Sequence, residues 1–158
     1  VSYCYYPDKG QRSFGPMRAQ LHYGKEYFKE ANDNVLSFAM IETEEAVNNI
    51  DEILSVPELS GVYIGPADMS SSYGLTPKFD VEEKIILKNL EMIVEKTKKY
   101  KKISGIHNGS TKYAKKMLEM GFNLVTILSE YRIMSDAAQS IVNEMKENKV
   151  VNNKSSSY

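Results

Sequence analysis

The 158-residue sequence has one cysteine, two histidines and no tryptophan. A single thiol, Cys4, excludes an internal disulfide framework and a thiolate metal cluster, and a reducing, cytoplasmic setting is expected. No surplus of either charge is present: 20 lysines and arginines face 21 aspartates and glutamates, for a net charge of −1 and a pI near 6.2. Nucleic acid is therefore not an expected partner, since that footprint needs clustered basic residues. No apolar run approaches the ~20 residues that span a bilayer, and no basic-then-apolar leader is read at the start. What is there is ordinary for a packed domain, 42% hydrophobic and 26% charged residues, so disorder is not the default. The first residues, Val1 onward, carry the aromatics Tyr3, Tyr5 and Tyr6, which read as strand-like and as a truncation point.

Pro7-Asp8-Lys9-Gly10 and Gly15-Pro16 punctuate a loop, with Pro16 suited to a helix start. Residues 17–31 permit a short peripheral helix. Val35 to Ile41 is a nearly continuous apolar run of strand length, the pattern of a strand buried on both faces. Thr43 to Ser55 then places Ala46, Val47, Ile50, Ile53 and Leu54 on one helical face. Pro57 and Gly61 close that helix and open a short strand, Val62 to Ile64. A long loop is expected from Gly65 to about Asp80, and then a helix with Ile86, Leu90, Ile93 and Thr97 in register. Lys102 to His107 reads as a third strand, Tyr113 to Leu118 as a helix stopped by Gly121, and Phe122 to Leu128 as a fourth strand. A last helix carries Ile133 to Met145. The domain is thus placed at residues 1–147, and 148–158 read as a polar, disordered tail.

Strands alternating with amphipathic helices imply an α/β fold with a parallel sheet and right-handed crossovers. Spacing alone leaves open a doubly wound sheet or one half of a (β/α)₈ barrel, which needs ~250 residues when complete. Either way, ligands gather at the carboxyl ends of the strands. Two of those ends carry an acid, Glu42 and Asp68. A pair of carboxylates suits a hard cation such as Mg²⁺, which completes its shell with water and substrate oxygens. Helix capping and turn formation explain the same acids without a ligand. Gly65-Pro66-Ala67-Asp68 favours the metal, because small residues leave main-chain amides open to a carboxylate beside the acid.

Several segments in order resemble the HpcH/HpaI aldolases, metal-dependent class II aldolases acting on pyruvate. They are Tyr6-Pro7-x-x-Gly10-x-Arg12-Ser13-x-Gly15, Ala31-Asn32, Ile41-Glu42-Thr43 with Ala46-Val47-x-Asn49, Gly61 through Ser70, and Gly121-Phe122-x-Leu124-Val125. The resemblance runs from residue 1 to about 145. It implies a (β/α)₈ TIM barrel of the phosphoenolpyruvate/pyruvate type, of which this chain supplies the C-terminal half, strands five to eight. It places Glu42 and Asp68 on the metal-ligand positions, with Mg²⁺, Mn²⁺ or Co²⁺ as cofactor. The amides of Ala67 and Asp68 are placed where the pyruvate carboxylate is received. The implied reaction is reversible aldol cleavage of a 4-hydroxy-2-oxo acid to pyruvate and an aldehyde, in a homo-oligomer whose last helix faces a partner. A citrate-lyase-β-like lyase of CoA thioesters is the alternative within enzymes.

The sequence departs from the family at Met40, where glutamine is usual, and at Leu128 and Glu130, where glycine and aspartate are usual. The family's catalytic histidine, its aspartate partner and the arginine on the keto oxygen belong to earlier strands, so no catalytic residue is assigned here. His107 is expected to line the pocket and touch substrate; His22 reads as a surface residue. Gly65, Pro66 and Ser70 shape the loop, and Arg12 reads as loop-fixing first and functional second. Cys4 reads as a plain strand cysteine, and Lys96 to Lys102 as a solvated helix end. Half a barrel leaves open strand edges, so the different-class reading is a non-catalytic fragment or assembly module.

Overall fold

Four short parallel strands form one sheet in the order β1-β2-β3-β4, with β1 Phe38–Ile41, β2 Gly61–Ile64, β3 Ile103–Asn108 and β4 Leu124–Ile127. This computed structural model describes residues 1–154, and side chains through residue 146. Sequential strands are neighbours throughout. Ile41 pairs with Ile64, and Ile64 with Ile106. Alternation along each strand sorts its side chains onto two faces. Ile41, Val62, Ile64 and Ile106 point one way and are fully buried.

The helices that cover that face are α3 Glu44–Asn48, α4 Ile50–Leu54, α6 Lys84–Lys99 and α7 Thr111–Met120. Helix α6 buries Ile86, Leu90, Ile93, Val94 and Thr97, the i, i+4, i+7 stripe that its sequence spells. Helix α7 is capped at one end by Ser110, whose hydroxyl accepts from the Tyr113 amide. At its other end Gly121 takes φ +112, a left-handed turn that ends helices at low cost in glycine. The opposite face of the sheet carries Met40, Tyr63, Gly105, His107 and Thr126, and it holds the site described below.

Several expectations about local structure need correction. The opening aromatics form no strand; Ser2–Cys4 is a 3₁₀ turn, and the half-buried free thiol of Cys4 lies in it. Tyr5 and Tyr6 are buried instead as anchors. The Asn32 side chain brackets Tyr6, its Oδ1 accepting from the Tyr6 amide at 2.8 Å and its Nδ2 donating to the Tyr6 carbonyl at 3.1 Å. In place of one helix over 17–31 there are two, α1 Met17–Tyr23 and α2 Tyr27–Asn34, because Gly24 at φ +85 breaks the run. The helix expected over 43–55 is likewise divided at Asn49. Most consequential, the segment after β2 is not a loop from the start. Pro66–Ser72 is helix α5, with proline at its first position, where a missing amide costs nothing.

The chain divides into two compact units, Val1–Thr126 and Ile127–Tyr158. The second is built on α8, Glu130–Lys154, whose start is tied by the Ile133 amide donating to the Ser129 carbonyl at 3.0 Å. This helix continues into the stretch whose composition suggested a tail; residues 155–158 of that stretch lie outside the described residues. Leu128, where the resemblance expects glycine, takes φ +52, a conformation that a side chain disfavours. Among the described residues, no helix is long and apolar enough to cross a membrane.

Candidate active site

Glu42 follows the last residue of β1, and Asp68 is the third residue of α5, which starts at the end of β2. Both line one pocket of about 180 Å³, together with Met40, Tyr63, Gly65, Pro66, Ala67, Phe79 and His107. Two larger depressions lie on the surface, one beside Tyr23 and Tyr27, the other between Asp80 and Lys116. Neither brings the strand-end residues together, so chemistry rather than size singles out the smaller one.

The local structure shows why Glu42 is free. Capping of α3 is done by its neighbour: the Thr43 hydroxyl accepts from the Ala46 amide at 3.1 Å. The Glu44 amide finds the Ser72 hydroxyl at 2.7 Å. Glu42 is therefore not spent on the helix end. Gly65 lies directly against it, and a β-carbon there would sit 3.0 Å from Glu42 Oε2. Asp68 is exposed in the first turn of α5. Neither acid pairs with a lysine or arginine among the described residues.

Two carboxylates line this pocket, and among the described residues no group of three histidines, cysteines or acids that could hold a metal is found. That donor set fits a hard cation that keeps water and substrate in its shell, and does not fit a closed structural site. The amides of Ala67 and Asp68 fall in the first turn of α5, where main-chain donors have no acceptor within the helix. The first amide of α5 with one is Met69, which donates to the Gly65 carbonyl at 2.9 Å.

The remaining residues singled out in the sequence have other surroundings. Ser70 is fully buried, and its hydroxyl donates to the Pro66 carbonyl at 2.7 Å, bracing α5. Arg12 lies over the Tyr6 ring, 4.6 Å from its centroid, and donates to the Tyr27 hydroxyl at 3.3 Å. It fixes the N-terminal loop and does not line the pocket. His22 is exposed on α1. His107 does line the pocket, and it is not alone. Its Nδ1 lies 2.9 Å from Thr126 Oγ1 and 3.5 Å from the Tyr63 hydroxyl, which also bonds Thr126 Oγ1. Phe79 meets the imidazole edge-on, with ring centroids 4.8 Å apart. Sequence reasoning did not find Tyr63, Thr126 or Phe79. The available signal was alternation, since Tyr63 and Thr126 occupy the same face as His107.

A parallel sheet with strand-end acids lining a shared pocket marks an α/β protein whose candidate ligand site lies at the carboxyl ends of the strands. The HpcH/HpaI aldolase/citrate lyase family matches residues 1–137, and the chain belongs to that family. It is 39% identical over 142 residues to a hydroxypyruvate/pyruvate aldolase of Rhizorhabdus wittichii, covering 90% of this chain and 57% of that protein. It is 30% identical over 139 residues to a 4-hydroxy-2-oxo-heptane-1,7-dioate aldolase of Escherichia coli, covering 86% of this chain and 52% of that one. The crystal structure of an HpcH/HpaI aldolase from Desulfitobacterium hafniense superposes with a TM-score of 0.79 at 23% identity, over 93% of this chain and 57% of the other. The chain thus spans little more than half the length of these relatives. Its four strands are part of a TIM barrel.

Proposed function

We propose that the protein containing this chain is a divalent-metal-dependent pyruvate aldolase, cleaving a 4-hydroxy-2-oxo acid reversibly to pyruvate and an aldehyde. One observation carries the reading. Glu42 and Asp68 line a single pocket at the strand ends, unpaired with any cation among the described residues, and Thr43 leaves Glu42 free of helix capping. The relatives named as aldolases support the reaction class.

Glu42 and Asp68 would hold Mg²⁺, Mn²⁺ or Co²⁺, and the amides of Ala67 and Asp68 would receive the pyruvate carboxylate. A cation held there would supply Lewis acidity for the negative charge that builds up on the substrate. Gly65 leaves room for the Glu42 carboxylate, Pro66 starts the helix that carries Asp68, and His107 lines the part of the pocket facing the aldehyde. In the cleavage direction the 4-hydroxyl gives up its proton, the C3–C4 bond breaks, the aldehyde leaves, and C3 is protonated to give pyruvate. The base, its partner and the arginine on the keto oxygen come from upstream strands, so this chain alone is inactive. The complete protein is cytoplasmic and assembles as a homo-oligomer.

The test is retro-aldol cleavage by the full-length protein, followed through pyruvate release. Activity is expected to stop with a chelator and return with Mg²⁺, Mn²⁺ or Co²⁺. Glu42→Ala and Asp68→Ala should each lower it at least a hundredfold. Wild-type rates in both variants would overturn the metal assignment, and strict dependence on a CoA thioester would move the protein to the citrate-lyase branch of the family.

A further inference from the structure

The pocket face of the sheet contains a hydrogen-bonded trio contributed by three different strands: Tyr63 from β2, His107 from β3 and Thr126 from β4. It exists because position 105 is glycine. The Tyr63 ring crosses β3 at that point, and a β-carbon on Gly105 would lie 2.8 Å from Tyr63 Cδ2. Lying across the strand in this way, the ring delivers its hydroxyl to Thr126 Oγ1 and to within 3.5 Å of His107 Nδ1.

The chemistry of the three groups sets the direction of the chain. A phenol is a stronger donor than an aliphatic alcohol and a poorer acceptor, which makes Tyr63 O–H the better donor to Thr126 Oγ1. The Thr126 hydroxyl can then donate to His107 Nδ1, 2.9 Å away, in the ring tautomer protonated at Nε2. A neutral imidazole that accepts at Nδ1 carries its proton on Nε2. Nε2 has no hydrogen-bond partner among the described residues, and His107 lines the pocket that contains Glu42 and Asp68. Phe79, packed edge-on against the ring, holds its plane.

We propose that His107 is a specificity-determining residue, presenting Nε2–H to an oxygen on the aldehyde portion of the substrate, with Thr126 and Tyr63 as its positioning residues. The selected class is aldehydes bearing a hydroxyl or other oxygen next to the carbonyl, in preference to alkyl aldehydes. The walls around the donor are Met40, Phe79 and the Tyr63 ring. An alkyl group seated there strips water from Nε2–H and returns no acceptor, whereas a hydroxyl replaces the lost water. This inference rests on the aldolase reading, of which it specifies the second substrate.

The experiment compares glycolaldehyde with propionaldehyde, nearly equal in size, as acceptors for pyruvate on the full-length metal-loaded protein. The measured quantity is the ratio of their kcat/KM values, which cancels general losses of activity. The wild type should favour glycolaldehyde about tenfold. His107→Leu should bring the ratio close to one. Thr126→Val keeps the imidazole but frees its tautomer, and should lower the ratio at least threefold, while Thr126→Ser should preserve it. The two sites of substitution give independent readings if one variant fails to fold. A wild-type ratio near one, or a ratio unmoved in the folded variants, overturns the proposal. Exchange of the pyruvate methyl protons in deuterated water needs no aldehyde and separates the two levels. Its absence in the wild type sinks the aldolase reading and this inference with it; its presence with an unmoved ratio sinks the selection alone.

Discussion

Replacing Gly65 by alanine probes the metal assignment without touching either acid. The backbone there is at φ −99, ψ 90, which alanine adopts without strain, so the effect is steric. The new methyl group would lie 3.0 Å from Glu42 Oε2 and 3.3 Å from Glu42 Cβ, where comfortable carbon contacts are ~3.5–4.0 Å. The carboxylate and the root of its side chain must both give way by several tenths of an ångström. Because Glu42 is only half-buried and free to swing, the folding cost should fall at the low end of the overpacking range, about 1 kcal/mol. That corresponds to a drop of about 2–4 °C in the Tm of the metal-free protein. The metal should suffer more, since disturbing the groups that orient a metal ligand already costs about 10–100-fold in affinity. Calorimetric titration with Mn²⁺ alongside melting in chelator separates the two effects. Gly15→Ala is the control, because nothing lies within 4 Å of a β-carbon there. A Gly65→Ala protein that binds Mn²⁺ as tightly as wild type would refute Glu42 as a ligand.

Three further outcomes follow from the packing. Ile106→Ala empties a fully buried position beneath the central strands and should cost about 2–5 kcal/mol in denaturant unfolding. Lys101 is exposed and sits at φ +56; Lys101→Gly should leave the protein as stable or raise stability by up to about 1 kcal/mol, as relief of the left-handed strain offsets the added chain entropy. Burial pushes the Tyr113 phenol well above its ordinary value, and its hydroxyl donates to the Val81 carbonyl. Because the unfolded chain then releases this proton first, Tyr113 contributes stability in full below pH ~10 and loses it as the pH rises past that value. Tyr113→Phe should flatten that alkaline loss in melts recorded between pH ~9 and pH ~11.

Much of the fold was legible because burial writes itself into periodicity. The stripe of Ile86, Leu90, Ile93 and Thr97 lies where the pattern put it. The apolar run ending at Ile41, expected to be buried on both faces, yields only the strand Phe38–Ile41, buried at Ile41 and exposed at Met40 on the pocket face. Strand bounds were less legible, since Val35 and Leu36 are apolar but unpaired, Leu36 being exposed, and Phe122 is apolar for packing rather than for pairing. Helix α5 was missed because Ala-Asp-Met-Ser-Ser-Ser is poor in strong helix formers; what starts it is Pro66, and what holds it is the Ser70 side chain on its own first turn. The carboxylate pair was legible from position alone, at the ends of neighbouring strands. The trio behind His107 was not, because its members are 44, 63 and 19 residues apart in pairs, and their meeting depends on the empty space at Gly105. The N-terminal motif through Arg12 and Asn32 stood out in sequence, yet in space it is a clamp around Tyr6 rather than part of the pocket.

The crossing of the Tyr63 ring over Gly105 also constrains the order in which this protein can change. A side chain gained at position 105 first collides with the ring and shifts the strand or the aromatic. A smaller residue gained at position 63 first merely opens space, which a later side chain at 105 can fill. The two positions form a lock with one direction of release, so descendants with a reshaped pocket floor should have lost the tyrosine before they lost the glycine. Reconstructing the two single variants and the double variant, and ranking their stabilities, would show whether that order is the only passable one.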